Sequence, residues 1–382
     1  MFLTDQDVAE LVAWRRRLHG LPEVSREEAG TAREVCAFLA PTRPDETIVG
    51  LGGHGVAVVF VGREPGPTVM FRAELDALPI EETSHLAHRS QMPGKGHLCG
   101  HDGHMATLAA LARGLGRRRP ARGRAVLLFQ PAEEDGSGAA AVMADPRFVR
   151  IAPDLSFAIH NMPGVKLGTA LLADCPVNCA SRGMRVVLSG RTAHASQPES
   201  GVSPMNAMAH LMPALTALGQ GAVHDREFTQ VTITHAVLGA PAFGIAPGSA
   251  EIWATLRALT DRRMERLRHD AERCVESAAV ETGLGVRISY EDIFEHCENA
   301  PEAVAHLRRA LAAEGFAHDT SNLPMLASED FGRFGKQAPA AMVFLGAGEH
   351  HPGLHSPDYD FPDGLIAIGA RIMMRTLRDL LG

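Results

Sequence analysis

GHLCGHDGHMATLAALARGLGRRRPARGRAVLLFQPAEED, residues 96–135, runs from a ligand-rich loop through a helix and a turn into a strand that closes on acids. Through 103–115 the apolar residues recur every three and four positions, the period of an amphipathic helix. Ala125–Gln130 (AVLLFQ) is an unbroken apolar run of strand length, ended by Pro131. A strand apolar on both faces, next to a helix, belongs to an α/β layer in which a sheet is buried between helices. The arginines at 117–119, 122 and 124 fall between the two elements and read as a solvated loop.

The same alternation extends outward. His54–Gly62, Thr68–Arg72, Leu155–His160 and Ala341–Gly346 read as strands, and 5–18, 26–39, 136–144 and 363–381 as helices. The middle of the chain has a different order. Strand Met184–Gly190, helix Pro204–Leu218, strands Val231–Leu238 and Ala250–Leu259, helix Arg262–Thr282 and strand Val286–Tyr290 give β-α-β-β-α-β, a ferredoxin-like unit. The expectation is one α/β domain, residues 1–177 and 294–382, interrupted by an α+β domain at 178–293.

Composition narrows the function classes. With 382 residues, 45% of them hydrophobic and 21% charged, the chain can bury a full core over two or three domains. A formal charge of −8 argues against nucleic acid as a partner. No run of about 18 apolar residues is present, so no membrane span is expected. The opening residues carry acids where a signal peptide is apolar, and the six cysteines are irregularly spaced. The cytoplasm is the default location. Gly50-Leu-Gly-Gly-His-Gly55 fits a dinucleotide fingerprint, but a strand follows it where that site needs a helix, so a hairpin turn is the reading.

Five clusters carry chemistry. Cys99, His101, Asp102 and His104 crowd one loop, with Gly100 free to turn the backbone between thiol and imidazole. Glu133, Glu134 and Asp135 follow a strand, where one carboxylate can bind metal while its neighbour acts as general base. His160-Asn161 ends another strand. Glu74 and Asp76 alternate just past a third, and His355 stands in Leu354–Phe361. Sites in open α/β sheets form at the carboxyl ends of strands, so one rim can gather Cys99, His101, Glu134, His160 and His355. Five ligands exceed what one catalytic zinc takes and suit two metals sharing a site.

These clusters in this order resemble the M20 metallopeptidase family, in particular its amidohydrolase branch of hippurate hydrolases, N-acyl-amino-acid aminoacylases and indole-acetyl-amino-acid hydrolases. The resemblance runs from Trp14–His19 and Pro22-Glu23 to Tyr359-Asp360-Phe361. It implies a dinuclear catalytic domain with an inserted lid and dimerisation domain, and a homodimer or higher homo-oligomer. It implies Cys99, His101, Glu134, His160 and His355 as ligands of two divalent ions (zinc, manganese, nickel or cobalt). Glu133 then resembles the general base and Asp76 the acid that orients the site. His194 resembles a lid histidine that polarises the scissile carbonyl, in this family sometimes from the partner subunit. Arg257 resembles the contact to a substrate carboxylate, with Asn161 also expected to face substrate. Two departures stand out. Glu74 replaces the family's usual Asp. Gly244 replaces an Asn that helps hold the substrate carboxylate, so a different or absent carboxylate fits this chain better than the family average.

The expected reaction is hydrolysis of a small amide by a water that two ions share. Two rivals are a Cys99 nucleophile with His101 as base, and a homologue that binds metal or ligand without turnover. Chelator sensitivity separates the first from the metal reading, because a thiol enzyme needs no metal.

Overall fold

Valine, leucine and phenylalanine fill the strands at the middle of the larger sheet, and nearly all are fully buried. The computed structural model describes residues 2–222 and 225–382. In chain order come α1 (Asp5–His19), α2 (Ala29–Leu39), β1 (Glu46–Leu51), β2 (Gly55–Val61), β3 (Glu64–Glu74), α3 (His101–Arg117), β4 (Arg122–Gln130), α4 (Gly138–Ala144), β5 (Leu155–Pro163) and β6 (Ala170–Leu171). Then follow β7 (Pro176–Asn178), β8 (Ala180–Ser189), β9 (Ala193–His194), α5 (Met205–Thr216), β10 (Thr229–Leu238), β11 (Ile245–Ala246), β12 (Ser249–Ala258), α6 (Asp261–Thr282), β13 (Gly285–Phe294) and β14 (Cys297–Glu298). The last elements are α7 (Pro301–Glu314), β15 (His318–Asp319), β16 (Ala340–Gly348) and α8 (Gly364–Leu381). Two units emerge: Met1–Cys175 with Glu298–Leu323 and Asp330–Gly382, and Pro176–Cys297 with Pro324–Glu329.

The larger unit is built on a sheet of order β1-β2-β4-β3-β5-β16-β6-β15. β3 runs parallel to both β4 and β5, and β5 parallel to β16, so these four strands point their carboxyl ends the same way. β1 and β2 form an antiparallel hairpin through Leu51 and Gly55. Gly52 and Gly53 in its turn have φ of +59° and +121°, values that favour glycine. The glycine-rich segment therefore turns a hairpin. The helices bury Leu11, Trp14, Val35, Leu111 and Met373 against Val58, Phe60, Phe71, Leu127 and Phe157 of the strands. Each such side chain contributes roughly 1.5–3 kcal/mol on burial. α3 is buried on almost every side, which a helix with small residues all round its axis allows.

The smaller unit is an antiparallel sheet of order β10-β12-β8-β13, with α5 and α6 packed through Met208, Leu211, Leu267 and Val275 onto Val186, Leu188, Ile252 and Leu256. Element order β8-α5-β10-β12-α6-β13 is the ferredoxin-like arrangement.

One local expectation is refined and another corrected. Residues 118–121 form a loop between α3 and β4, and Arg117, Arg118 and Arg122 are exposed, but the arginines reach beyond that loop: Arg117 ends α3 and pairs with Asp7 at 2.6 Å, Arg122 and Arg124 lie on β4, and Arg124 bonds Thr68 Oγ1 and the Arg150 carbonyl. The helix expected from residue 26 starts at Ala29, because residues 23–28 form a clip in which Arg26 takes φ of +71°.

Beneath α1 lies a buried ionic network. Arg15 meets Asp102, Asp360 and Asp363 at 3.3, 2.5 and 2.7 Å. His19 lies between Asp102 at 2.9 Å and Glu82 at 3.4 Å. Burial opposes protonation of His19, but its bonds to Asp102 and Glu82 outweigh that and raise its pKa from 6.5 to about 9. A pKa raised in the folded state gives stability that is complete below the unfolded value and lost as pH climbs through the folded one. The thermal unfolding midpoint of the metal-free protein is therefore expected to fall between pH 6.5 and about 9. In His19→Gln the fall should flatten; identical slopes in both proteins would contradict this account.

Candidate metal centre

Three neighbouring strands deliver their functional residues to one place. β3 ends at Glu74, two residues before Asp76. β4 ends at Gln130, just before Glu133 and Glu134, and β5 carries His160 and Asn161 near its end. Cys99 and His101 flank Gly100, the residue that starts α3 with φ of +96°. A Cβ on Gly100 would lie 2.4 Å from Asn161 Oδ1, and one on Gly103 2.2 Å from the Phe361 ring. The two glycines let the loop close down on β5 and on the 355–361 segment. His355 is tied in by its own N–H, which donates to the Leu98 carbonyl at 2.8 Å, and it holds φ of +66°.

The donor atoms converge. Cys99 Sγ is 3.6 Å from His160 Nε2. His101 Nε2 is 3.7 Å from Glu134 Oε1 and 3.9 Å from Glu133 Oε2, and His355 Nε2 is 3.6 Å from Glu134 Oε2. Two triples of donors each fall within 4.8 Å: Cys99, His101 and His160, and Cys99, Glu134 and His355. They share the thiol. A third triple joins His101 to Glu133 and Glu134.

The backbone sets the ring orientations. His101 Nδ1 donates to the Asp76 carbonyl at 2.8 Å, and His160 Nδ1 to the Asn161 carbonyl at 2.8 Å. Both rings thus turn Nε2 toward the cluster, the nitrogen through which a neutral histidine ligates metal. His101 Nε2 is buried and has no hydrogen-bond partner. A buried polar atom left so costs about 1–3 kcal/mol, which a metal bond removes. The Asp76 carboxylate accepts from Ser25 Oγ at 2.7 Å and from the Glu134 N–H at 3.0 Å, so Asp76 links the histidine to the acidic turn.

The electrostatics fit a cation. Burial lowers the affinity of His101 for a proton, yet Glu74, Asp76 and Glu134 outweigh burial and push its pKa up to about 10. Burial, reinforced by His104, pushes His160 down to about 3, which keeps it a neutral donor. Burial and then Glu134 and Glu133 hold the Cys99 thiol well above its usual range. Such a thiol ionises when a cation sits against it. Thiolate, imidazole and carboxylate together form the donor set of a borderline divalent metal.

Behind the cluster lies a network that sequence reading missed. Glu74 Oε2 meets His104 Nδ1 at 2.7 Å, and Arg72 pairs with Glu74 and, at 2.6 Å, with Asp330. His104 Nε2 donates to Asn161 Oδ1 at 2.6 Å, and Asn161 Nδ2 donates to Tyr359 Oη at 2.6 Å. The Asn161 side chain, expected to face substrate, thus has both ends of its buried amide bonded within the protein. The acids Glu74 and Asp330, far apart in the chain, were the available signal.

The remaining expected residues belong to the smaller unit. His194 is exposed on the short β9–β11 pairing, and its Nδ1 accepts from the Ser196 N–H at 3.1 Å. Gly244 has open space where a side chain would be. Arg257 Nη1 donates to the Leu326 carbonyl at 2.8 Å and to Ser328 Oγ at 3.0 Å.

The profile of peptidase family M20/M25/M40 matches residues 70–379. Thermostable carboxypeptidase 2 of Saccharolobus solfataricus is 29% identical over 95% of this chain and 94% of its own. The N-acetyl-L-cysteine deacetylase of Bacillus subtilis is 28% identical over 97% of this chain and 88% of its own. Among solved structures, the YxeP protein of Bacillus subtilis, a dinuclear metal-binding peptidase, superposes with a TM-score of 0.83 at 23% identity, over 99% of both chains.

Titration of the metal-free protein with Co²⁺ is expected to raise a thiolate-to-metal charge-transfer band, absent from Cys99→Ser. A band of full intensity in Cys99→Ser would remove the thiol from the centre.

Proposed function

The chain belongs to peptidase family M20/M25/M40, and on that premise we propose that it is a metal-dependent amidohydrolase cleaving the acyl–nitrogen bond of N-acyl amino acids or related small amides. The observation that carries the reading is the pair of donor triples that share Cys99, with Glu133 beside them. Cys99, His101 and His160 would hold one ion, and Cys99, Glu134 and His355 the other. Zinc, manganese, nickel and cobalt all suit these donors. When bound, the ions supply Lewis acidity toward the amide carbonyl and bring the pKa of a water toward neutrality.

The chain's own residues do the rest. Glu133 is the general base: it takes the proton of the attacking water and returns it to the leaving amine. Asp76 holds His101 and the Glu134 N–H in register, so it is a positioning residue. His194 serves the oxyanion. Its Nδ1 accepts from Ser196, which leaves Nε2 as the N–H that can donate to a developing negative charge. We place this histidine in a homodimer or higher oligomer, acting on its own or a partner's site. Arg257 meets the substrate carboxylate with the guanidinium nitrogens not spent on Leu326 and Ser328. Gly244 offers no side chain to share that task, so amides with a displaced or absent carboxylate are favoured.

No helix among the described residues is long and apolar enough to cross a membrane. Cys99 and Cys179 are thiols, which suits the reducing cytoplasm, where we place the protein.

The test is hydrolysis on a panel of N-acetyl, N-benzoyl and indole-acetyl amino acids together with amides that lack the carboxylate. Amine release should vanish with a chelator and return with added metal; release indifferent to chelator would refute the reading. Glu133→Gln should keep its metal and lose about 10²–10⁴-fold in kcat. A variant with near-normal kcat would take the base role away from Glu133.

A further inference from the structure

Six non-glycine residues among those described have positive φ, and two of them share one acceptor. The N–H groups of Arg26 (φ +71°) and Ala132 (φ +50°) both donate to Oε1 of Glu28, each at 2.8 Å. Residues with a Cβ rarely hold this left-handed conformation unless the surroundings impose it. Glu28 is fully buried, and its second oxygen, Oε2, has no hydrogen-bond partner. A buried carboxyl group with a single working oxygen, aimed at two strained peptides, acts as a fixed clamp.

What it clamps is the acidic turn. Ala132 immediately precedes Glu133 and Glu134. Its N–H is held by Glu28, and its carbonyl accepts the Gly138 N–H at 2.9 Å. Gly138 lies so close to the Pro131 carbonyl that a Cβ there would stand 1.7 Å from its oxygen. The turn is thus fixed through the peptide units on both sides of Ala132. The clip that carries Glu28 also holds Asp76: Ser25 Oγ donates to its Oδ2 at 2.7 Å, and the Ala77 N–H donates to the Glu23 carbonyl at 2.8 Å. Residues 23–28 therefore reach both halves of the centre, the acidic turn through Glu28 and the His101 support through Asp76.

We propose that Glu28 is a positioning residue of the hydrolytic centre: its Oε1 imposes the left-handed turn at Ala132 that aims Glu133 and Glu134. The inference deepens the function given above and rests on the base role of Glu133. Glu28 touches neither substrate nor metal donors. Its effect therefore falls on turnover and metal affinity and spares substrate binding.

Three variants of the full-length protein test it: Glu28→Gln, Glu28→Asp and Glu28→Ala. The readouts are kcat and KM, the affinity for Co²⁺, and hydrogen exchange at the Ala132 amide. Glu28→Gln keeps an acceptor at the same reach and should stay within about threefold of wild type. Glu28→Asp, one methylene short, and Glu28→Ala should expose the Ala132 amide to exchange. They should lower kcat by about 10–100-fold with KM little changed, and weaken Co²⁺ binding by a similar factor, as losses of supporting contacts at metal sites do. If Glu28→Ala does not fold, Glu28→Asp and Glu28→Gln decide the matter. A folded Glu28→Asp with wild-type kcat and a protected Ala132 amide would overturn the proposal. So would a lower unfolding midpoint with kcat per folded enzyme intact, since that is a purely structural role. A wild-type protein that hydrolyses no amide would instead defeat the proposed function, while exchange and Co²⁺ binding would still judge Glu28.

Discussion

Four carboxylates, a thiol and three imidazoles share one largely buried rim, and such a gathering of acids is unfavourable by itself. In a low-dielectric interior each charge needs a partner, and much of the larger unit is arranged to supply one. Arg72 serves Glu74 and Asp330, Arg15 serves Asp102, Asp360 and Asp363, and His104 bridges Glu74 to Asn161. These partners stand behind the centre. At its front, Glu133, Glu134 and the Cys99 thiol face Nε2 of His101 and His160, where a doubly charged ion would meet the remaining demand. The upward push on the proton affinities of His101 and Cys99 is the mark of that demand.

Precision at the front comes from backbone constraint. Parallel strands bring Asp76, Glu133 and His160 to the same edge, and two glycines let the Cys99–His101 loop settle on them. Left-handed residues stand at both the acidic turn and His355. Each of these conformations is costly in isolation and persists because a hydrogen bond fixes it: Glu28 at Ala132, and the Leu98 carbonyl at His355. A centre placed by constrained backbone holds its geometry without relying on flexible side chains.

The sequence spoke clearly wherever the physics was local. Apolar runs such as Ala125–Gln130 and Leu155–His160 can only be buried strands, and the acids and histidines behind them are conspicuous because burial there is expensive. β1 was harder to see: its burial alternates irregularly over Glu46–Leu51, as suits a sheet edge with one wet face. Residues 26–28 read as the first turn of a helix over 26–39, and Glu27 and Glu28 are good helix formers. Tertiary bonds from Glu28 to Ala132 and from Ser25 to Asp76 override that propensity. The bonds of the Asn161 amide were hidden for a similar reason. A polar residue beside a ligand invites a substrate role, and its bonds to His104 and Tyr359, 57 and 198 residues away, have no local signature.

The most direct test of the account is the anomalous-scattering crystal structure of the metal-loaded protein. The account predicts two metal peaks on either side of Cys99 Sγ, one also bound by His101 and His160 and the other by Glu134 and His355. A single peak that leaves the Cys99 sulfur unbound, or metal held away from these residues, would contradict it.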